Sequence, residues 1–361
     1  MMRGGLSSGL PWLAVDGREI VTAESREPVL LRGLNRSGLE YAEPAERGFL
    51  DTAGITEAEI AWMVREWGAN IIRVPFNQDW TLNGRVDHPA AEYLAALDQV
   101  IFWASRAGAY TLLDLQWLDA DRVRGFNQNG SPNRVPSLPT LDSLLTWSTL
   151  AARYRDEPAV LFDVFNEPHD PIPGDPTVLD GIREDGTLFT LQGRRVSMME
   201  WQPWARQLVR TIRRQHPNSM IFVSGVSWAY DLRGMPLTTE DGSSDLFSNI
   251  VYSTHVYPWC GNPAWKATGR WRFGPKASPT WKEAFGRLAR LVPVFVAEWG
   301  GSSTHVGWGE TLVRYLSKLG LGWAAWSWSD APRLVVDAQA HRYEPTAFGR
   351  VVRRALNPRI S

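Results

Sequence analysis

Two glutamates draw attention because each closes an apolar run. Glu167 follows Val160–Phe165 in the string Phe165-Asn166-Glu167-Pro168, and Glu298 follows Pro293–Ala297 just ahead of Trp299. A pair of carboxyls is what cleavage of an acetal bond between sugars requires. One stays protonated and gives its proton to the leaving oxygen, while the other is ionised. The same arrangement, an apolar run with polar or aromatic residues at its end, recurs along the chain. Asn35 and Tyr41 follow Val29–Leu34, Arg73 lies within Ala69–Val74, and Gln116 and Trp117 follow Ala109–Leu115. Trp228 follows Met220–Ser224, His255, Tyr257 and Trp259 lie at or after the end of Ile250–His255, and Trp326 and Trp328 lie in Gly322–Trp328.

These eight runs read as strands, because parallel strands buried on both faces are continuously apolar rather than alternating. Helical patterns separate them: Thr56–Trp67, Pro89–Ala107, Leu141–Arg155, Glu200–Gln215, Thr280–Leu291 and Glu310–Leu319, with Thr346–Leu356 closing the chain. Thr56 and Glu59 have the spacing of a capping box at the start of the first helix. Eight alternating units predict an α/β fold, a (β/α)8 TIM barrel formed by a single domain over residues 1–361. The alternative, an open doubly wound sheet, usually carries a glycine-rich turn after its first strand, and Leu34–Gly38 has no such pattern. In a barrel the active site lies at the carboxyl ends of the strands. Strands 4 and 7 then face each other across the mouth, placing Glu167 and Glu298 about 5 Å apart, the separation of a retaining mechanism. Glu167 is expected to have a raised pKa and Glu298 a low one.

Composition narrows the function further. With 38 basic and 39 acidic residues the net charge is −1, which gives nucleic acid or an anionic membrane no purchase. No stretch is apolar enough to cross a bilayer. The lone cysteine, Cys260, excludes an internal disulfide. Met1–Trp12 lacks the basic-then-apolar pattern of an export signal, so the expected location is extracellular or periplasmic if a signal has been removed and cytoplasmic otherwise. The six histidines, His88, His169, His216, His255, His305 and His341, form no metal-binding spacing, and no phosphate loop or nucleophile elbow is present. No metal or cofactor is therefore expected, and the expected partner is a saccharide bound by a monomer. The 19 tryptophans fit that partner, since indole stacks on sugar rings. Trp117, Trp228, Trp259 and Trp299 are equally readable as packing, and Trp80 and Trp265 are weaker candidates still.

Five motifs in order resemble those of glycoside hydrolase family 5, the cellulase family of clan A. They are Ile71-Ile72-Arg73-Val74-Pro75, Phe165-Asn166-Glu167-Pro168, His255-Val256-Tyr257-Pro258, Ala297-Glu298-Trp299-Gly300 and Ala325-Trp326-Ser327-Trp328. The resemblance runs from about Val29 to Leu356. It implies Glu167 as acid/base and Glu298 as nucleophile. It further implies Asn166 on the sugar 2-hydroxyl, Arg73 and Tyr257 orienting Glu298, His255 on the acid/base side, and Trp326 under the sugar being cleaved. The family usually has a histidine where this chain has Gln116, which bears on the first sugar subsite and on pH dependence. Asn35, Gln116, Trp117, Trp228 and Trp259 complete the expected substrate-binding set.

Long segments after strands 3, 4 and 6 (Gln116–Pro139, Pro168–Ser197 and Pro258–Pro279) suggest an extended cleft and hence an endo-acting β-1,4-glucanase. A β-mannanase, an exo-acting or transglycosylating enzyme of the same family, and a sugar-binding barrel without catalysis are the alternatives.

Overall fold

The computed structural model describes residues 9–118, 137–169, 181–182, 188–189, 196–238, 247–258 and 279–357. Eight parallel strands close into a barrel. In chain order they are Arg32–Asn35, Ile71–Asn77, Tyr110–Trp117, Val160–Asp163, Ile221–Ser224, Ile250–Val256, Val294–Trp299 and Gly322–Ala325, referred to below as strands 1 to 8. All eight runs read from the sequence become barrel strands, which makes the fold a (β/α)8 barrel.

Side chains alternate between the barrel interior and the helical layer. Ile71, Leu112, Leu161, Phe222, Val251 and Phe295 fill the lower interior. Ile72, Leu113, Phe162, Val223 and Val296 point outward into the larger core beneath the helices. Strand 1 is pressed against strand 2 so tightly that a Cβ on Gly33 would lie 1.7 Å from the Ile71 carbonyl oxygen. Only glycine fits there.

Ahead of the barrel a short hairpin, Leu13–Asp16 paired with Glu19–Thr22, brings Leu13 into the interior cluster. The Tyr110 hydroxyl donates to the Pro11 carbonyl at 2.8 Å, which ties this segment to the base of strand 3.

The helices follow their sequence signals with shifted ends. The first, Glu57–Arg65, is capped by Thr56, whose hydroxyl accepts the Glu59 N–H. The expected reciprocal half of the box is absent because the buried Glu59 carboxylate is used elsewhere. It accepts from Arg36 Nε at 2.8 Å and from Trp328 Nε1 at 2.9 Å. Ala90–Ala107 begins after Pro89 and stops at Gly108, which adopts the left-handed conformation. The helix expected over Thr280–Leu291 is instead a π turn, Lys282–Gly286, followed by a 3-10 turn, Leu288–Arg290. Gly286, a poor helix former, lies where a Cβ would stand 2.1 Å from the Tyr315 hydroxyl. No described helix is long and apolar enough to cross a membrane.

Candidate active site

Above the apolar floor of the barrel the inward positions turn polar, and a single guanidinium organises them. Arg73, on strand 2, has no exposed surface. Its Nε donates to Asp163 Oδ2 at 2.9 Å, Nη1 donates to Asn35 Oδ1 at 3.0 Å and to Glu298 Oε1 at 2.8 Å, and Nη2 donates to Asn166 Oδ1 at 3.0 Å. Nη2 also lies 2.9 Å from Asp114 Oδ1. Asn35, expected to contact substrate, is instead fully buried. Its Nδ2 donates to the carbonyls of Ala297 and Ala324, so it knits strands 1, 7 and 8 together and holds Arg73.

Glu298 reaches the interior through an irregularity in strand 7. Thr254 on strand 6 pairs with Val296, but the next residue, His255, pairs with Glu298, so strand 7 carries one extra residue, Ala297. Such a bulge shifts the face on which every later side chain emerges. Phe295 and Ala297 belong to the interior cluster, and Glu298 joins Arg73 in the interior as well. Trp299 is turned out into the helical layer, where it packs on Trp323 and Phe348.

The two glutamates meet at the mouth. Glu298 Oε2 accepts from the Tyr257 hydroxyl at 2.7 Å, and Glu167 Oε1 lies 2.7 Å from His255 Nδ1. His255 Nδ1 is also 3.5 Å from Glu298 Oε2. The polar atoms of Glu167, His255 and Glu298 lie within 4.8 Å of one another, the one such grouping of His, Cys, Asp and Glu among the described residues. That span suits either an ion or two carboxyls flanking a bond. The direct bond between His255 and Glu167 favours the second, because the nitrogen an ion would need is already engaged. Carboxyl oxygens of the two glutamates thus approach within 4.8 Å, closer than the roughly 6.5–9.5 Å of an inverting pair.

The two carboxyls sit in different fields. Burial, and then the negative charge of Glu298, push Glu167 well above the ordinary glutamate range. Burial also raises Glu298, while Arg73 and the hydrogen bonds from Tyr257 and Arg73 pull it back. The expectation of a low Glu298 pKa is thus corrected: desolvation outweighs its partners. His255 is driven well below its usual value, first by burial and then by Arg73, and is neutral.

Aromatic side chains frame the pair. Trp326 is half-buried, with Nε1 donating to the Ala331 carbonyl at 3.2 Å. Trp117 lies against Tyr41, with ring centroids 5.7 Å apart. Trp228 stacks on His169 at 3.7 Å and 13°, and its N–H donates to the Pro168 carbonyl. Ser227, Trp228 and Ala229 all have left-handed φ angles of 57–61°, a strained geometry for side-chain-bearing residues. Gln116 is buried, and its Oε1 has no hydrogen-bond partner among the described residues. Trp259 and Trp265 lie outside the described residues. Trp80, Trp299 and Trp328 are core residues, and nine tryptophans among the described residues are fully buried. The surplus of indole is therefore chiefly a packing feature. Strand 8 ends at Ala325, so its alternation does not extend to Trp328, which turns outward onto Trp67 and Tyr343.

Asp163 and His169 belong to the site without having been singled out in the sequence. A charged residue two positions after Leu161, on an inward strand position, is the signal that finds Asp163. His169 has no comparable signal. It is buried, and its Nδ1–H donates to the Glu167 carbonyl at 2.6 Å. Burial lowers its pKa to about 4, so it is a neutral ring of fixed tautomer.

The sequence pattern of the cellulase family (glycosyl hydrolase family 5) matches residues 23–332. Endoglucanase MaCel5A of Microbulbifer sp. (strain ALW1) is 25% identical over 334 residues, covering 88% of this chain and 51% of that protein. Endoglucanase E-5 of Thermobifida fusca is 22% identical over 322 residues, covering 85% and 53%. The chain thus spans about half the length of these relatives. Among solved structures, the β-glucanase SdGluc5_26A of Saccharophagus degradans in complex with cellotetraose superposes with a TM-score of 0.67 at 19% identity, covering 96% of this chain and 92% of that one. The match of the family pattern over most of the sequence identifies the chain as a member of glycosyl hydrolase family 5, the cellulase family.

Proposed function

We propose that this protein is a retaining glycoside hydrolase acting on β-1,4-linked glucan, with Glu298 as nucleophile and Glu167 as acid/base. The observation that carries the reading is the facing pair of carboxyls in unequal fields. Glu298 is gripped by Arg73 and Tyr257, whereas Glu167 has a neutral imidazole for its side-chain partner. The carboxylate oxygen of Glu298 attacks the anomeric carbon as Glu167 gives its proton to the departing glycosidic oxygen, leaving a glycosyl ester on Glu298. Glu167, now ionised, takes a proton from water. That water attacks the same carbon from the vacated side and releases Glu298. The Nδ2 group of Asn166 is buried, with no partner among the described residues, and supplies a donor for the sugar 2-hydroxyl. Trp326, Trp117 with Tyr41, and Trp228 on His169 offer platforms for successive pyranose faces. A glucan is the substrate favoured by the relatives, which are named endoglucanases.

The test is reducing-sugar release from carboxymethylcellulose, mixed-linkage β-glucan, glucomannan and mannan, with Glu298→Gln alongside. Release from the glucans, lost in the variant, supports the reading. Release from mannan alone moves the substrate to a mannoside, with Gln116 the first position to exchange. Retention of most activity by Glu298→Gln refutes the nucleophile assignment.

A further inference from the structure

Beneath the two glutamates lies a second carboxyl pair that the mechanism above does not use. Asp114 on strand 3 and Asp163 on strand 4 are register partners. Adjacent strands run roughly 4.8 Å apart, so residues paired in this way lie side by side. Both point into the barrel, and neither has exposed surface. Each gives one oxygen to Arg73, at 2.9 Å in both cases. Asp163 Oδ1 and both oxygens of Asp114 have no hydrogen-bond donor among the described residues, the contact of Asp114 Oδ1 with Arg73 being an ion pair without hydrogen-bond geometry.

The charge balance is unfavourable if every group is ionised. Arg73 contributes one positive charge against Asp114, Asp163 and Glu298, and neither Arg73 nor the two aspartates have exposed surface. The other titratable groups facing it do not help. Glu40, in the segment after strand 1, is itself pushed up to about 8 by burial and brings no positive charge. Glu167 is held protonated by burial and by Glu298. His255 is neutral, and burial keeps the Tyr257 phenol far above its usual pKa. Strands 5 and 8 bring Ser224 and Ala324 to the interior, neither of which titrates. Two carboxyls side by side in a dry site cannot both ionise cheaply.

We propose that Asp114 and Asp163 hold one proton between them, so that the pair carries a single negative charge and Arg73 keeps field to spare for Glu298. The proton comes from solvent as the barrel closes. Its natural place is on one of the oxygens that lack donors, where it turns a bare acceptor into a donor. Burial raises both groups, Asp114 well above the ordinary range with the charge of Asp163 adding to it, and Asp163 to about 6 against the pull of Arg73. The two aspartates are thus positioning residues. They fix the plane of the guanidinium and set how much of its charge reaches Glu298. The proton itself is independent of the glycosidase reading; only its consequence for Glu298 rests on that reading.

Infrared spectroscopy of the whole protein with aspartate carboxyls carbon-13-labelled tests the proton directly. The expected result at neutral pH is an isotope-shifted band from a protonated aspartic acid in the wild type. The band should be lost in Asp114→Asn and in Asp114→Asn/Asp163→Asn. No such band in the wild type means that both groups are ionised and overturns the proposal, whether or not the variants fold. Kinetics supply the second arm. With the proton replaced by an amide, Asp114→Asn leaves the acid limb of kcat/KM in place whatever it does to the maximum, while the double variant frees Arg73 and moves that limb to lower pH. A downward shift already complete in the single variant overturns the proposal. A chain with no glycosidase activity would refute the proposed function and leave the infrared result to decide this one.

Discussion

Replacing Tyr257 with phenylalanine removes one hydrogen bond and leaves the ring. The phenol donates to Glu298 Oε2 at 2.7 Å, a short bond to an ionised acceptor. Such bonds contribute about 1.5–3 kcal/mol, and a pKa unit corresponds to about 1.36 kcal/mol, so the Glu298 pKa should rise by roughly one to two units. Little compensates for the loss. Arg73 stays on the other oxygen, and His255 Nδ1 is 3.5 Å away, too far for a good bond. The sign follows from the chemistry. The nucleophile works only when ionised, so activity falls as pH drops through its pKa, and raising that pKa moves the acid limb upward. The alkaline limb, where Glu167 loses its proton, should stay in place. The bell narrows, and its maximum falls because fewer molecules hold both groups in the required state. The assay is kcat/KM on soluble β-glucan from about pH 4 to 9. A uniform drop with an unmoved acid limb, or a limb moved downward, would refute the reasoning.

Three further outcomes are expected. Trp328→Phe should lower stability by about 1–3 kcal/mol in a denaturant melt, because the Glu59–Arg36 ion pair loses the indole donor at 2.9 Å, while kcat stays unchanged. Trp326→Ala should do the reverse, leaving the melt nearly unaltered and lowering kcat/KM roughly three- to tenfold, the effect of losing one aromatic platform; a loss of stability without loss of turnover would make it a core residue. Gly33→Ala should cost more than about 3 kcal/mol and give little soluble protein, since its Cβ would meet the Ile71 carbonyl oxygen, a backbone atom with no room to move; a normal melting temperature would contradict the strand packing described.

Much of the barrel is legible in the sequence because its strands are buried on both faces and so read as plain apolar runs. What a run cannot reveal is where pairing stops and on which face a side chain emerges. Strand 1 begins at Arg32 rather than Val29, and strand 8 ends at Ala325 rather than Trp328, so Trp326 and Trp328 lie beyond the strand. Asn35 looked like a substrate contact because it follows a strand, yet its amide is used by two backbone carbonyls and Arg73. The opening hairpin has strands of four residues each, too short for a periodic signal. Glu167, Glu298, Arg73, Asn166, His255 and Tyr257 are brought together as their motifs led one to expect. Asp163 was hidden inside a run read only for its apolar character. The tryptophans misled by type, since a residue suited to sugar is equally suited to a core.

The extra residue in strand 7 makes the aim of Glu298 a matter of counting. Were strand 7 to pair regularly through Ala297, without the bulge, Glu298-Trp299 would emerge with its faces exchanged, the indole at the mouth and the carboxylate in oil. Loss or gain of an inward carboxylate on this scaffold is therefore open to loss or gain of the bulge, which changes no functional side chain. A descendant could keep each of these motifs and still be silent. Judging such a barrel thus calls for the register between strands 6 and 7 as much as for the glutamate, and grafting the pair onto another barrel calls for the bulge to travel with it.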